Sequence, residues 1–259
     1  MKIPLYHIDA FTSQVFKGNP AAVCPLQSWL EDRVLQGIAA ENNLSETAFI
    51  VEQGDQFQIR WFTPTMEVDL CGHATVAAAF VIFRFIKVGL TGVRFSSKSG
   101  QLIVTERDDR ICLDFPVMEA SPCVPPEALL RALGQKPREV LASRDYLVVY
   151  EQEEEIQKIQ PNFILLQQLD RLGVIVTSPG ETADFVSRFF APKAGIAEDP
   201  VTGSAHCTLI PYWAKRLRKN SLSALQISTR GGELFCEYQG ERVIIAGQAI
   251  RYLEGAIYV

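Results

Sequence analysis

The chain has 259 residues, 47% hydrophobic and 21% charged, which is enough to bury one large core or two cores of ordinary size. A formal net charge of −5, a pI near 5.4 and the lack of any long basic run argue against a nucleic-acid partner. Six cysteines without C-x-x-C spacing argue against zinc and are typical of reduced, cytoplasmic thiols. The longest apolar run, 74–83, is far shorter than the roughly 20 residues of a membrane span.

The first part of the chain predicts short strands around two helices. A Gly-Asn-Pro turn separates the first two strands, and a second turn at Gly54 joins a hairpin. The apolar segment 73–88 lacks alternation, which predicts a helix buried on all sides. The other predicted helix covers 28–41. The predicted strands are 3–11, 19–24, 45–51, 57–62, 92–97, 101–106 and 110–115.

The second part of the chain predicts a similar order with one departure. A helix near 180–190 takes the place of the second strand of the first part's hairpin. A second central helix is predicted over about 204–218. The predicted strands lie near 145–150, 161–166, 173–177, 224–230, 233–238 and 241–247.

Three sequence blocks occur twice, in the same order. The offsets are 128, 131 and 132 residues between Arg60 and Arg188, Gly72 and Gly203, and Gly100 and Gly232. An ordered set with so little drift predicts a duplication. The expected fold is therefore α+β, with two pseudo-symmetric halves, each a curled, mostly antiparallel sheet around a central helix. Two halves also predict a ligand-binding cleft.

Small residues precede both central helices, at Gly72 and at Gly203-Ser204. The first turn of a helix carries unpaired N–H groups and the positive end of the helix dipole. Both turns are therefore predicted to receive a substrate carboxylate. The alternative is that these residues only begin helices.

Two of the three histidines lie near these turns. His73 directly follows Gly72, where the helix dipole disfavours a charged imidazolium and favours a neutral ring. His206 lies about two residues deeper in the second helix. We expect His73 to line the site, although isolated histidines are more often structural, and His206 has the weaker claim.

Two carboxylates are further candidates. Asp199 precedes the second central helix, where it could cap that helix or act as an acid, base or orienting partner of His73. Glu46 lies at a helix-to-strand junction, and its spacing alone gives little reason to assign it a role.

Several segments together resemble one known family, the PhzF-like phenazine-biosynthesis isomerases. The resemblance spans the chain in order and implies a diaminopimelate-epimerase-like fold. It also implies half-domains of 1–110 plus 249–259 and of 111–248. The matching segments are Gly18–Val23, Asn43–Phe49, Phe62–Pro64, Cys71–Thr75 and Glu198–His206.

The resemblance implies a cofactor-independent isomerase that shifts a proton on a small, possibly cyclic carboxylate, of the dihydro-hydroxyanthranilate type. Glu46 would take and return the proton, while His73 and Asp199 would hold and polarise the substrate. The resemblance further implies a homodimer, while the cysteine pattern predicts a cytoplasmic protein without a metal ion. The implied substrate-binding residues are Asn19, Ser45, Gly72, Thr202, Gly203 and Ser204.

Three alternatives remain open. Related racemases use two cysteines, but here Cys71 is matched by Thr202 in the second half, which disfavours that chemistry. A Cys/Thr pair would suit a dehydratase or epimerase of a hydroxy or amino acid, although Cys71 could simply fill space. The third alternative is a binding protein that has kept the fold without the chemistry.

Overall fold

The computed structural model describes all 259 residues, and the chain divides into two units. The first unit contains Met1–Asp114 and Ala246–Val259, and the second contains Phe115–Ile245. The expected boundaries lay after residue 110 and before residue 249. No helix in the structure is long and apolar enough to cross a membrane.

The first unit is built on one mixed sheet. Its strands pair in the order β18-β1-β2-β3-β4-β6-β7-β8, with parallel pairing at β2/β3 and β4/β6 and antiparallel pairing elsewhere. The short strand β5 also pairs with β4. The strands are β1 (Lys2–Ala10), β2 (Asn19–Leu26), β3 (Glu46–Gln53), β4 (Gln56–Phe62), β5 (Glu67–Val68), β6 (Gly92–Ser97), β7 (Gly100–Arg107), β8 (Arg110–Pro116) and β18 (Ala249–Tyr258).

Two helices cover this sheet. Helix α1 (Asp32–Asn42) begins four residues later than predicted and buries Leu35, Ile38 and Ala39. Helix α2 (Gly72–Val81) is apolar on nearly every side and packs against β1, β2, β3 and β18. A π-helical turn, Ile82–Ile86, continues it. The predicted buried helix over 73–88 is therefore confirmed.

The second unit contains four helices and the remaining strands. The strands are β9 (Ser121–Pro122), β10 (Glu139–Ala142), β11 (Tyr146–Val149), β12 (Val174–Pro179), β13 (Phe185–Ala191), β14 (Ile196–Asp199), β15 (Ser221–Gln226), β16 (Gly232–Tyr238) and β17 (Arg242–Gly247). The helices are α3 (Glu127–Leu133), α4 (Glu153–Gln157), α5 (Phe163–Leu166) and α6 (Gly203–Leu217). Helix α6 packs against β15 and β16.

The strand order of the second unit repeats that of the first. Its strands pair in the order β9-β10-β11-β12-β13-β15-β16, with parallel pairing at β11/β12 and β13/β15, and β14 pairs with β13. Each pairing has a counterpart of the same direction in the first unit. Such a match in topology is what a duplication of one ancestral unit would leave.

Two predicted elements of the second unit are wrong. The segment 180–190 contains strand β13 rather than a helix. Its apolar residues at 185, 186, 189 and 190 have helical spacing, but the segment is a strand between β12 and β15, and six of its seven residues are buried, so it shows no alternation. The predicted strand at 161–166 is the short helix α5, which Asn162 caps by accepting a hydrogen bond from Leu165 N.

One ion pair also occurs once in each unit. Arg60 on β4 donates two hydrogen bonds to Glu67, with distances of 2.7 and 2.9 Å. Arg188 on β13 donates two to Glu198 with the same distances. Each guanidinium also lies over the phenylalanine two residues further along its strand. The duplication thus extends to side-chain contacts.

Candidate functional site

Glu46 and His73 come from two elements of the first unit that pack together. Glu46 is the first residue of β3 and lies opposite Ala21 of β2 in the parallel ladder. His73 lies in the first turn of α2, the helix that packs on β2 and β3. The chain therefore places the carboxylate and the imidazole side by side at one end of α2.

The imidazole of His73 is the centre of a small buried cluster. Its Nε2 lies 3.1 Å from Oε2 of Glu46, an ion-pair contact in which neither atom has a hydrogen-bond partner. Its Nδ1 lies 3.1 Å from Nδ2 of Asn19 and 3.5 Å from Sγ of Cys71. All four residues are less than 10% exposed. Asn19, predicted to bind substrate, thus contacts the histidine.

The pKa values in this cluster follow from burial and charge. Burial lowers the pKa of His73, but the neighbouring Cys71 and Glu46 raise it well above its usual value. Burial, with the Glu46 carboxylate, raises the pKa of Cys71 to about 11, so its sulfur is a thiol at neutral pH. Of these two neighbours, the one whose negative charge acts on His73 is therefore Glu46.

Glu46, Cys71 and His73 also offer metal-ligand atoms within 4.8 Å of one another. The thiol approaches Nδ1 of the ring, whereas the carboxylate approaches Nε2. An imidazole binds a given metal ion through one nitrogen. These contacts therefore fit a hydrogen-bonded cluster better than a single coordination sphere.

The second unit holds the third predicted catalytic residue, Asp199. Asp199 ends β14 and is 9% exposed. Its Oδ2 accepts a hydrogen bond from Thr202 Oγ1 at 2.5 Å. The residue at the N-cap of α6 is Thr202, so Asp199 does not cap this helix directly. It is instead bonded to the N-cap residue, whose own side chain makes no capping hydrogen bond.

No sequence pattern pointed to Gln226 as a site residue. It ends β15 and is 1% exposed. Its Oε1 accepts from Thr202 N at 2.8 Å, and its Nε2 donates to Asp199 O at 2.7 Å and Thr202 Oγ1 at 3.1 Å. A buried amide with three bonds to one turn fixes the path of that turn.

The remaining candidates differ in their surroundings. Gly203 is buried at the start of α6, and Ser204 accepts a hydrogen bond from Arg144 at 2.9 Å. Gly72, the first residue of α2, and Ser45, directly before β3, are half-buried. His206 is fully buried and its Nδ1 lies 2.8 Å from Thr202 O. Burial lowers the pKa of His206 to about 4, which suits a neutral structural histidine.

Comparison with known families identifies the family of this chain. The family model described as phenazine biosynthesis-like protein, PhzC-PhzF, matches residues 8–255. The chain belongs to this family. An uncharacterised isomerase of Pseudomonas aeruginosa is similar to it over 259 residues, with 49% identity and 100% of both chains covered. A PhzF-family protein of Enterococcus faecalis has a crystal structure with a TM-score of 0.98, 50% identity and complete coverage of both chains.

A more distant structure identifies the wider fold. A hydroxyproline epimerase from Agrobacterium vitis matches with a TM-score of 0.64 at 10% identity, covering 99% of this chain and 92% of that chain. At this identity the match shows the fold alone. The predicted PhzF membership, the α+β epimerase-like fold and the assignment as an isomerase are confirmed at the level of the family.

Proposed function

We propose that this protein isomerises a small, possibly cyclic carboxylate by an allylic proton shift in which Glu46 moves the proton. The observation that carries this proposal is the 3.1 Å contact between Glu46 Oε2 and His73 Nε2, in a cluster whose residues are all less than 10% exposed. A carboxylate with one oxygen in contact with an imidazole nitrogen keeps its second oxygen for proton transfer.

The proposed step balances without a co-reactant. Glu46 takes a proton from an sp³ carbon, and the electrons of the broken C–H bond delocalise into the adjacent double bond. The protonated carboxyl then returns the proton to the far end of the allylic system. The first product is an enol wherever the shifted double bond carries a hydroxyl, and this enol becomes a ketone.

Backbone N–H groups are proposed to hold the substrate carboxylate. The first turns of α2 and α6, at Gly72 and at Gly203-Ser204, have N–H groups without partners inside their helices. These dipoles are preorganised for an anion. Family membership supports a catalytic role for Asp199 and a substrate-binding role for Thr202, and the hydrogen bond between them supports a fixed orientation of the Asp199 carboxylate.

The thiol is a weaker candidate for the base. The pKa of Cys71 is raised to about 11, so little thiolate is present at neutral pH. The matching position in the second unit is Thr202, which has no thiol. Glu46 is therefore preferred over a cysteine mechanism of the racemase type.

The test is incubation with dihydro-hydroxyanthranilate in deuterated water, followed by mass spectrometry. Wild type should consume the substrate and incorporate deuterium, and Glu46→Gln should lose activity by about 10²- to 10⁴-fold. Glu52→Gln is the matched control, because Glu52 lies on the same strand and pairs with Lys87 at the surface.

Two results would count against this proposal. An active Glu46→Gln variant would exclude Glu46 as the proton carrier. An inactive wild type would reject this substrate, and the same assay would then be repeated with other small cyclic and hydroxylated carboxylates.

A further inference from the structure

The two nitrogens of the His73 ring face groups of opposite hydrogen-bonding character. Nε2 faces the Glu46 carboxylate, which can only accept. Nδ1 faces the amide nitrogen of Asn19, which can only donate. The Cys71 thiol, also near Nδ1, is protonated at neutral pH and can donate as well.

One protonation state matches both the Glu46 contact at Nε2 and the Asn19 contact at Nδ1. A neutral ring with its proton on Nε2 donates to Glu46 and accepts at Nδ1. An imidazolium would instead direct its Nδ1–H at the N–H of Asn19, 3.1 Å away. The position of His73 in the first turn of α2 also opposes a positive charge.

We propose that Asn19 is a positioning residue whose amide N–H, by donating to Nδ1 of His73, holds the ring as the tautomer that carries its proton on Nε2, facing Glu46. This inference rests on the proposed function only for its catalytic consequence. The Glu46 carboxylate raises the pKa of His73, and Asn19 opposes this second protonation because its N–H, aimed at Nδ1, gives an Nδ1–H no acceptor. Glu46, rather than His73, then remains the group that gains and loses the proton.

The direct test is nitrogen-15 NMR of the histidine side chains, which needs no substrate. The chain has three histidines, and His206, whose Nδ1 lies against the Thr202 carbonyl, serves as an internal reference. Near neutral pH, His73 of the wild type should carry a proton on Nε2 and none on Nδ1. A wild-type spectrum with Nδ1 protonated overturns the proposal before any variant is made.

Two variants of Asn19 separate its donor role from simple packing. Asn19→Asp replaces the donor by an acceptor and should protonate both nitrogens of His73. Asn19→Leu removes the donor without adding charge and should raise the fraction protonated at Nδ1 by a smaller amount. Asn42→Asp is the matched control, since Asn42 donates to Thr47 Oγ1 in the same unit, and His73 should be unchanged in it.

The catalytic consequence is measured separately. If wild type isomerises its substrate, Asn19→Leu should lower kcat on the order of 10- to 100-fold, leave KM nearly unchanged and move the pH profile, whereas Asn42→Asp should do none of these. If wild type is inactive, the proposed function fails while the NMR result still decides the role of Asn19. An Asn19→Leu variant with the wild-type spectrum would reduce Asn19 to a packing residue.

Discussion

The imidazole of His73 lies 3.1 Å from the carboxylate of Glu46, and the two side chains are only 6% and 10% exposed. A buried carboxylate without a donor is costly, and Nε2 of His73 is placed to supply one. The same contact leaves Glu46 a single oxygen with which to act. The histidine thus has two roles to separate, one in stability and one in catalysis.

Replacing His73 should reveal both roles. His73→Leu leaves Glu46 without its donor, so we expect a loss of about 1–3 kcal/mol in the free energy of unfolding and a loss of activity of about 10²-fold or more. His73→Gln keeps an N–H donor of similar reach and should recover part of each. Urea unfolding and the isomerisation assay measure the two effects. Full activity in His73→Leu would exclude a catalytic role for the ring.

Much of the fold could be predicted because the chain contains its own internal comparison. The repeat around Arg60 and Arg188 predicted two equivalent halves, and both the strand order and the ion pairs are repeated. The one departure, a helix near 180–190, is wrong because β13 is buried on both faces and shows no alternation. The repeat itself argued for the strand, since the equivalent Arg60 lies on a strand.

The site was only partly predictable from the residues. Glycine turns before two helices and a following histidine are local patterns, so His73 and Gly72 could be found. The pairing of Asn19 with His73 and of Gln226 with Thr202 depends on contacts across 54 and 24 residues of sequence. No local spacing encodes such contacts, and Glu46 was assigned through the family resemblance alone.

The repeated ion pair predicts a pH-dependent contribution to stability. Hydrogen bonds from Arg60 lower the pKa of Glu67 from 4.5 to about 2, and the Glu67 side chain is 17% exposed. Because the folded-state pKa is depressed, the contribution is complete above about pH 4.5 and is lost as the pH falls towards 2. Its upper limit is about 3 kcal/mol.

The measurement is the free energy of unfolding of Glu67→Gln and wild type at pH 7 and near pH 2. The variant should be less stable at pH 7, and the difference should shrink in acid. Glu198→Gln, in the second unit, should destabilise in the same direction at pH 7. An equal difference for Glu67→Gln at both pH values would show that the carboxylate charge contributes nothing.

Gln226 should matter for both the stability and the order of the turn before α6. Gln226→Met keeps the approximate volume but removes three hydrogen bonds and leaves the buried Thr202 N–H without its acceptor. We expect a loss of about 1–3 kcal/mol and faster amide exchange at Thr202. Gln226→Glu retains the acceptor and should protect that amide better than Gln226→Met. If the amide exchange rate of Thr202 is unchanged in Gln226→Met, Gln226 does not position this turn.

His206 should make the protein less stable in mild acid. Burial lowers its pKa from 6.5 to about 4 in the folded state, so between these values the unfolded chain binds more protons than the folded one. Stability from the neutral ring is therefore complete above about pH 6.5 and falls by up to about 3 kcal/mol as the pH approaches 4.

His206→Gln should be less stable at pH 7 but should show a flatter pH dependence when urea unfolding is measured at pH 7 and pH 5. The wild-type slope between these two pH values is the reference for this comparison. If His206→Gln also keeps that slope, another group accounts for the acid sensitivity.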